Sequence, residues 1–147
     1  MQSQQQPVPE ARPPHLFVID DEPSIRTAIR RFLTRRGWMV EEAEDGRVAL
    51  EVLLRSEPGR YDVVMCDLRM PHLSGVELYR ALLGKRTDLV NRLLFSTGDV
   101  VSADAASFLA ESGRPVIEKP FELAHLEELL TQILRENEAR AKTADTP

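Results

Sequence analysis

The sequence predicts an open α/β sheet of five parallel strands covered by helices on both faces, and three observations point there. Short apolar runs alternate with longer segments of helical period, strand then helix, five times over. The central run, Val63-Val64-Met65-Cys66, is apolar without alternation, as a strand buried on both faces reads. Pro58-Gly59 before it and Pro71 after it leave it too short for a stable helix.

In chain order, residues 16–19 form the first strand and run into Asp20-Asp21. Pro23 opens the first helix as a first-turn proline does, and Ile25, Ala28, Ile29, Phe32 and Leu33 recur at helical spacing up to Gly37. Residues 38–43 alternate as the second strand. Asp45-Gly46 leads into a second helix whose Val48, Val52 and Leu53 are expected to face inward, with Pro58-Gly59 as its stop. The third strand ends at Asp67. Ser74-Gly75-Val76-Glu77 fits a capping box, so a third helix starts there, carries Val76, Leu78, Tyr79, Leu82 and Leu83 and closes at Gly84. Residues 93–95 are the fourth strand, running on into Ser96-Thr97-Gly98-Asp99. Ser102 caps a fourth helix that includes Phe108 and Leu109 and stops at Gly113. Residues 115–117 are the fifth strand, followed by Glu118-Lys119-Pro120-Phe121. The last helix places Leu123, Leu126, Leu129, Leu130, Ile133 and Leu134 on one stripe.

At 147 residues and 42% hydrophobic content the chain suits one domain with an ordinary core. Residues 1–14 hold four Gln and four Pro without a hydrophobic period, and residues 135–147 have no apolar side chain larger than Ala. Both ends are therefore expected to be loose tails around a packed unit of 15–134, with no output domain after it. No signal peptide and no apolar run of the ~20 residues a membrane span needs are present, so a cytoplasmic protein is expected. The single cysteine, Cys66, permits no internal disulfide and sits in a buried run, where inert packing is its expected role. A net charge of −5 gives no footprint for nucleic acid. One local exception is the first helix, crowded with Arg26, Arg30, Arg31, Arg35 and Arg36. Its two readings are a solvated face and a docking site for an acidic partner.

Asp67 has no evident structural duty, because Ser74 and Glu77 already start the next helix. In open parallel sheets, ligands bind beyond the carboxyl ends of the strands, where Asp67 falls. Asp20-Asp21, Thr97 and Lys119 end the first, fourth and fifth strands, while the second ends in nothing comparable. With the flavodoxin-like strand order 2-1-3-4-5, these groups converge on one cleft. Clustered carboxylates repel, which raises at least one pKa, and a divalent cation relieves the repulsion. Asp20, Asp21 and Asp67 offer only oxygen, which suits hard Mg²⁺ or Mn²⁺. Lys119 brings a point charge for a phosphoryl oxygen, and the Thr97 hydroxyl with the Gly98 N–H can hold another. The combination is a metal-assisted phosphoryl site with Asp67 as nucleophile.

Asp20-Asp21, Asp67 followed by Met70-Pro71 and Gly75, Thr97-Gly98 and Lys119-Pro120-Phe121 together resemble the motif set of the response-regulator receiver domain of two-component signalling. The resemblance implies that Asp67 takes a phosphoryl group from a phosphohistidine of a sensor histidine kinase or phosphotransfer protein. It implies that Asp21 and Asp67 bind Mg²⁺ directly, that the backbone carbonyl of Arg69 is a further ligand, and that Asp20 acts partly through water. It further implies a cis Lys119-Pro120 bond, Lys119 and Thr97 on the phosphoryl group, and the first helix as the docking surface of the donor. Reversing Arg26 and Arg30 to Glu is then expected to slow transfer from a kinase and spare a small-molecule donor.

The chain departs from the family at Val116, where members commonly carry an aromatic ring that turns inward on activation, so the signal is expected to travel through Thr97 and residues 99–101 instead. Arg69 and Asp99 are expected to pair across the cleft and slow hydrolysis. His15, His72 and His125 have no ligand spacing and receive no role. The expected function is a stand-alone switch, not a turnover enzyme beyond self-catalysed transfer and slow autodephosphorylation. It acts on an unknown downstream protein through the fourth and fifth helices and fifth strand, as a monomer or a phosphorylation-dependent dimer, without nucleic acid or membrane. The competing readings are a receiver cut from a hybrid histidine kinase, an aspartyl-phosphate phosphohydrolase and a phosphorylation-independent adaptor.

Overall fold

A computed structural model describes residues 12–98 and 102–144 of the chain. Its elements are β1 (His15–Ile19), α1 (Pro23–Thr34), β2 (Met39–Ala43), α2 (Gly46–Arg55), β3 (Val63–Asp67), α3 (Gly75–Leu82), α4 (Thr87–Val90), β4 (Leu93–Thr97), α5 (Ala103–Ser112), β5 (Val116–Glu118) and α6 (Leu123–Ala144). The five strands form one parallel sheet in the order β2-β1-β3-β4-β5, as expected.

The pleat sorts the side chains into two apolar layers. Phe17, Ile19, Val64, Cys66, Leu93 and Phe95 pack beneath α2, α3, α4 and α5, where Tyr79, Phe95 and Phe108 meet ring to ring. Leu16, Val18, Val63, Met65, Leu94 and Ile117 pack on the other face against α1 and α6. The helix starts follow the sequence reading. Asp45 accepts from the Arg47 N–H and Ser102 from the Ala105 N–H. Ser74 and Glu77 complete both halves of the capping box.

Four expectations are corrected. Val48 and Val52 of α2 are exposed, at 54% and 37%, and the inward stripe is Gly46, Ala49 and Leu53. The helix is turned this way because Gly46 lies against the backbone of Leu73, so close that a Cβ there would clash. The short α4 has no sequence period to announce it. Tertiary contacts hold it, since Arg86 donates to the carbonyls of Leu53 and Ser56 and pairs with Asp88 at 3.0 Å.

The last helix does not give way to a loose tail at 135 but continues to Ala144. Its final turns lack large apolar side chains, yet Arg, Glu, Ala and Lys are good helix formers. Asn137 also anchors them, buried and donating to the Asn91 and Ile133 carbonyls while accepting from Arg140. At the other end, most of the expected tail lies outside the described residues, but residues 12–14 are held. Arg12 donates to Asp62, and the Pro14 carbonyl accepts from the Met39 N–H at 2.8 Å.

Candidate functional site

The same pleat that builds the α1/α6 face of the core carries four polar side chains onto the top of that face. Asp20 follows Leu16 and Val18 by twos, Asp67 follows Val63 and Met65, Ser96 follows Leu94, and Lys119 follows Ile117. Each of these four strands thus runs into a polar residue where its apolar partners run out, and β2 does not.

Asp67 is 7% exposed and Asp20 1%, while Asp21 is exposed. One oxygen from each of the three carboxylates lies within 4.8 Å of the others. Lys119 bridges Asp67, Asp20 and the neighbouring Glu22. Its Nζ donates to Asp67 Oδ2 at 2.7 Å, lies 2.9 Å from Asp20 Oδ2, and reaches Glu22 Oε1 at 3.4 Å. The Asp20 contact is an ion pair out of line for a hydrogen bond, so Oδ2 of this buried carboxylate keeps an unused lone pair. The other oxygen, Oδ1, caps the turn into α1 by accepting from the Glu22 N–H. Asp67 Oδ1 accepts from the Arg69 N–H at 3.3 Å.

Burial pushes the Asp67 carboxyl above its ordinary range, and the nearby charge of Asp20 adds to this; the Lys119 ammonium and the Arg69 N–H oppose the shift without cancelling it. Burial pulls Lys119 down, but its hydrogen bond to Asp67 and the charges of Asp67 and Asp20 more than reverse that and hold it above the usual lysine range. Both partners of one ion pair are thus raised, because desolvation of the carboxylate outweighs what one ammonium returns to it. The rise expected from repulsion between the carboxylates comes at Asp67 chiefly from burial, with the Asp20 charge a smaller contribution. The Cys66 thiol is buried and driven far up by desolvation, as an inert packing group should be.

The donor set fits a hard divalent cation. It is all oxygen, it carries more negative charge than one lysine offsets, and it holds a buried carboxylate oxygen without a hydrogen bond.

Gly75 fixes the position of Asp67 from behind. A Cβ there would sit 2.6 Å from the Asp67 carbonyl oxygen, and the Gly75 N–H donates to the Leu68 carbonyl. Thr97 is 2% exposed and its carbonyl accepts from the Lys119 N–H at 2.8 Å. Its Cβ starts on the face of Phe95, opposite to Asp67. Gly98 follows it at the exposed rim, and Lys119-Pro120 is cis. Asp99, expected to pair with Arg69, lies outside the described residues together with the rest of 99–101. Val116 is half-buried against the aromatic layer.

The five arginines expected on the first helix divide in a way their spacing did not reveal, since α1 ends at Thr34 and Arg35 and Arg36 fall in the turn after it. Arg26 and Arg30 both bind Glu42 of β2, and Arg26 also donates to the Asp20 carbonyl. Arg36 pairs with Glu127 of α6, while Arg31 and Arg35 are exposed. Beside Lys119 lies an apolar groove of about 500 Å³, lined by Ile25, Ala28, Phe121 and Leu123 with Glu22 at its rim. Sequence reasoning missed Glu22 and Ser96. The one signal for Ser96 was a small polar residue continuing the apolar run of β4.

Fold and site together define a doubly wound α/β protein with carboxylates and a lysine gathered at its topological switch point. The model of the response regulator receiver domain matches residues 16–133, and the chain belongs to that family. Among curated relatives, response regulator MprA of Mycolicibacterium vanbaalenii is 35% identical over 123 residues, 84% of this chain and 51% of that protein. MprA of Mycobacterium leprae is 36% identical over 118 residues, 80% and 48% of the two chains. The chain spans about half the length of these relatives. Among solved structures, chemotaxis protein CheY4 of Vibrio cholerae superposes with a TM-score of 0.70 at 27% identity over 82% of this chain and 98% of that one. The receiver domain of sensor histidine kinase PA1611 from Pseudomonas aeruginosa, with a magnesium ion in its active-site cleft, gives 0.72 at 23% identity over 83% and 98%. That last likeness speaks to the fold.

Proposed function

We propose that Asp67 is the phosphoacceptor of a signalling switch, charged by a phosphohistidine of a sensor kinase or phosphotransfer protein. An Asp67 carboxylate oxygen attacks the phosphorus and forms the O–P bond. The P–N bond to the imidazole breaks, and its electron pair stays on the departing ring nitrogen, which takes up a proton. Lys119 turns ammonium hydrogens toward the phosphoryl oxygens as negative charge gathers on them. Asp20, Asp21 and Asp67 would hold Mg²⁺, with the Arg69 carbonyl as a further oxygen ligand and Thr97 and Gly98 on the phosphoryl group. The ion's chemistry there is to offset the charge of the carboxylates and of the incoming phosphoryl oxygens.

The observation that carries this reading is Asp67 itself: a buried carboxylate 2.7 Å from a lysine, with two further acids within 4.8 Å. A group arranged only for stability would be neutralised by its partners, and this cluster keeps a surplus of negative charge. The groove of Ile25, Ala28, Phe121 and Leu123 beside Lys119 gives a donor helix an apolar seat, and the exposed Arg31 and Arg35 line a separate hollow with Arg30 and Thr34. Arg26 and Arg30 are held by Glu42, so Arg31→Glu with Arg35→Glu is the cleaner test of donor docking.

The chain serves as an acceptor with slow self-catalysed release, not as a turnover enzyme, and passes its state on by protein contact through α5, β5 and α6. Among the described residues no helix is long and apolar enough to cross a membrane, and the reading places the reaction in the cytoplasm.

Intact-mass measurement after incubation with acetyl phosphate and Mg²⁺ tests the proposal. One phosphoryl group on the wild type and none on Asp67→Asn is the expected result. Equal labelling of both, or multiple turnover on phosphate esters, would overturn it.

A further inference from the structure

Ser96 is 1% exposed, and its Oγ has no hydrogen-bond partner among the described residues. An unmade hydrogen bond on a buried hydroxyl is costly, and alanine would fill the same space without that cost. The fold alone therefore gives no reason for a hydroxyl at this position, and its surroundings do.

Ser96 pairs in register with Asp67 on one side and with Ile117 on the other. It shares the face of Leu94, and so of Asp67 and Lys119, whereas Thr97 starts on the opposite face. Lys119 is rooted just beyond β5 yet bonds Asp67 Oδ2 on β3 at 2.7 Å. Its side chain must cross β4 to do so, and the β4 side chain on that face at that height is Ser96.

We propose that Ser96 is a positioning residue for Lys119: its hydroxyl oxygen is the neutral acceptor that keeps the ammonium in the cleft during phosphoryl transfer. The inference rests on Asp67 being the phosphoacceptor. In the resting site Lys119 divides its three hydrogens among Asp67, Glu22 and the neighbouring charge of Asp20. When Asp67 takes the phosphoryl group, its bonded oxygen loses its full charge and the ammonium must follow the phosphoryl oxygens. A lone pair of Ser96 Oγ then gives a released hydrogen a partner below the cleft. A carboxylate there would accept as well, but would repel the anionic donor. Serine accepts without adding charge.

The test is a double-mutant cycle of Ser96→Ala with Lys119→Met, read as the rate of labelling by acetyl phosphate at saturating Mg²⁺, together with melting of the metal-free proteins. Ser96→Ala is expected to slow labelling on the order of tenfold, as the loss of one hydrogen bond to a charged group does. It is also expected to raise the melting temperature, because an unpartnered hydroxyl has gone. In the Lys119→Met background it is expected to change the rate no further, and Ser96→Thr is expected to restore most of the wild-type rate. An unchanged rate in Ser96→Ala would overturn the proposal and mark the hydroxyl as a frustrated core group. Equal slowing with and without Lys119 would overturn the route through the lysine. Absence of label on the wild type would overturn the phosphoacceptor reading, and this inference with it.

Discussion

The two ends of the sheet handle polar groups in opposite ways. At the amino end Asp62 is satisfied by the fold: Oδ2 accepts from the His15 N–H at 2.7 Å, Oδ1 from Arg12, and Arg92 stands 3.9 Å away. Arg92 in turn donates to the Tyr61 carbonyl, and Asn137 closes the same end. The exception, Nη2 of Arg114, belongs to a guanidinium whose Nε already bonds the Leu93 carbonyl. At the carboxyl end Asp20, Asp21, Glu22 and Asp67 face one lysine, and Asp20 Oδ2 and Ser96 Oγ have no hydrogen bond. Polar groups that complete one another hold a fold together. Groups left with surplus charge and open valence are equipped to take a ligand.

Breaking each end should therefore have different consequences. The largest effect is expected from Gly75→Ala, which pushes the new methyl into the backbone of Asp67. Overpacking of this kind costs about 1–3 kcal/mol, and here it should depress both urea stability and labelling. Asp62→Ala strands the His15 N–H and should cost about 1–3 kcal/mol of stability, while labelling of the folded protein by acetyl phosphate stays at the wild-type rate. A matching loss of labelling would erase the contrast between the ends.

Millimolar Mg²⁺ should stabilise the wild type by about 1–3 kcal/mol through preferential binding to the folded chain. Asp21→Asn, altered at an exposed position, should melt like the wild type without metal and lose most of that gain. Thermal scans with and without Mg²⁺ separate the two terms.

The pH dependence sharpens the comparison further. Because burial raises the folded-state pKa of Asp67, its contribution to metal-free stability is fully present below the unfolded carboxylate pKa and is lost as pH rises through the folded one. The metal requires the ionised form, so Mg²⁺ affinity should fall on acidification already above the ordinary carboxylate range. Titrations of Mg²⁺-dependent melting against pH should show the two trends running in opposite directions. The smallest effect is expected from Arg36→Ala. Its bond to Glu127 and its position 5.1 Å over the Phe32 ring are largely solvated and together are worth at most about 1 kcal/mol.

Much of this was legible in the chain. The strands showed as apolar runs, and the starts of α2, α3 and α5 showed as Asp45, Ser74 with Glu77, and Ser102, because caps and periodicity are local properties. The site acids and Lys119 could be named because strand ends are local too. What was misjudged depended on distant partners. Val48 and Val52 face solvent because Gly46 meets Leu73, and the last helix outruns its apolar stripe because Asn137 finds Asn91; the Glu42 partner of Arg26 and Arg30 was equally out of sight.

The amino-acid order by itself determined which residues end each strand, since side-chain alternation and strand length follow from the backbone. Only the folded sheet decided what those residues meet: that one lysine stands among three acids, that Ser96 rather than Thr97 shares the face of Asp67, and that one end of the sheet is saturated while the other is not. The physical reason is range. Backbone geometry acts over a few residues, whereas charge compensation and hydrogen-bond satisfaction are settled between strands that only the crossover connections bring together.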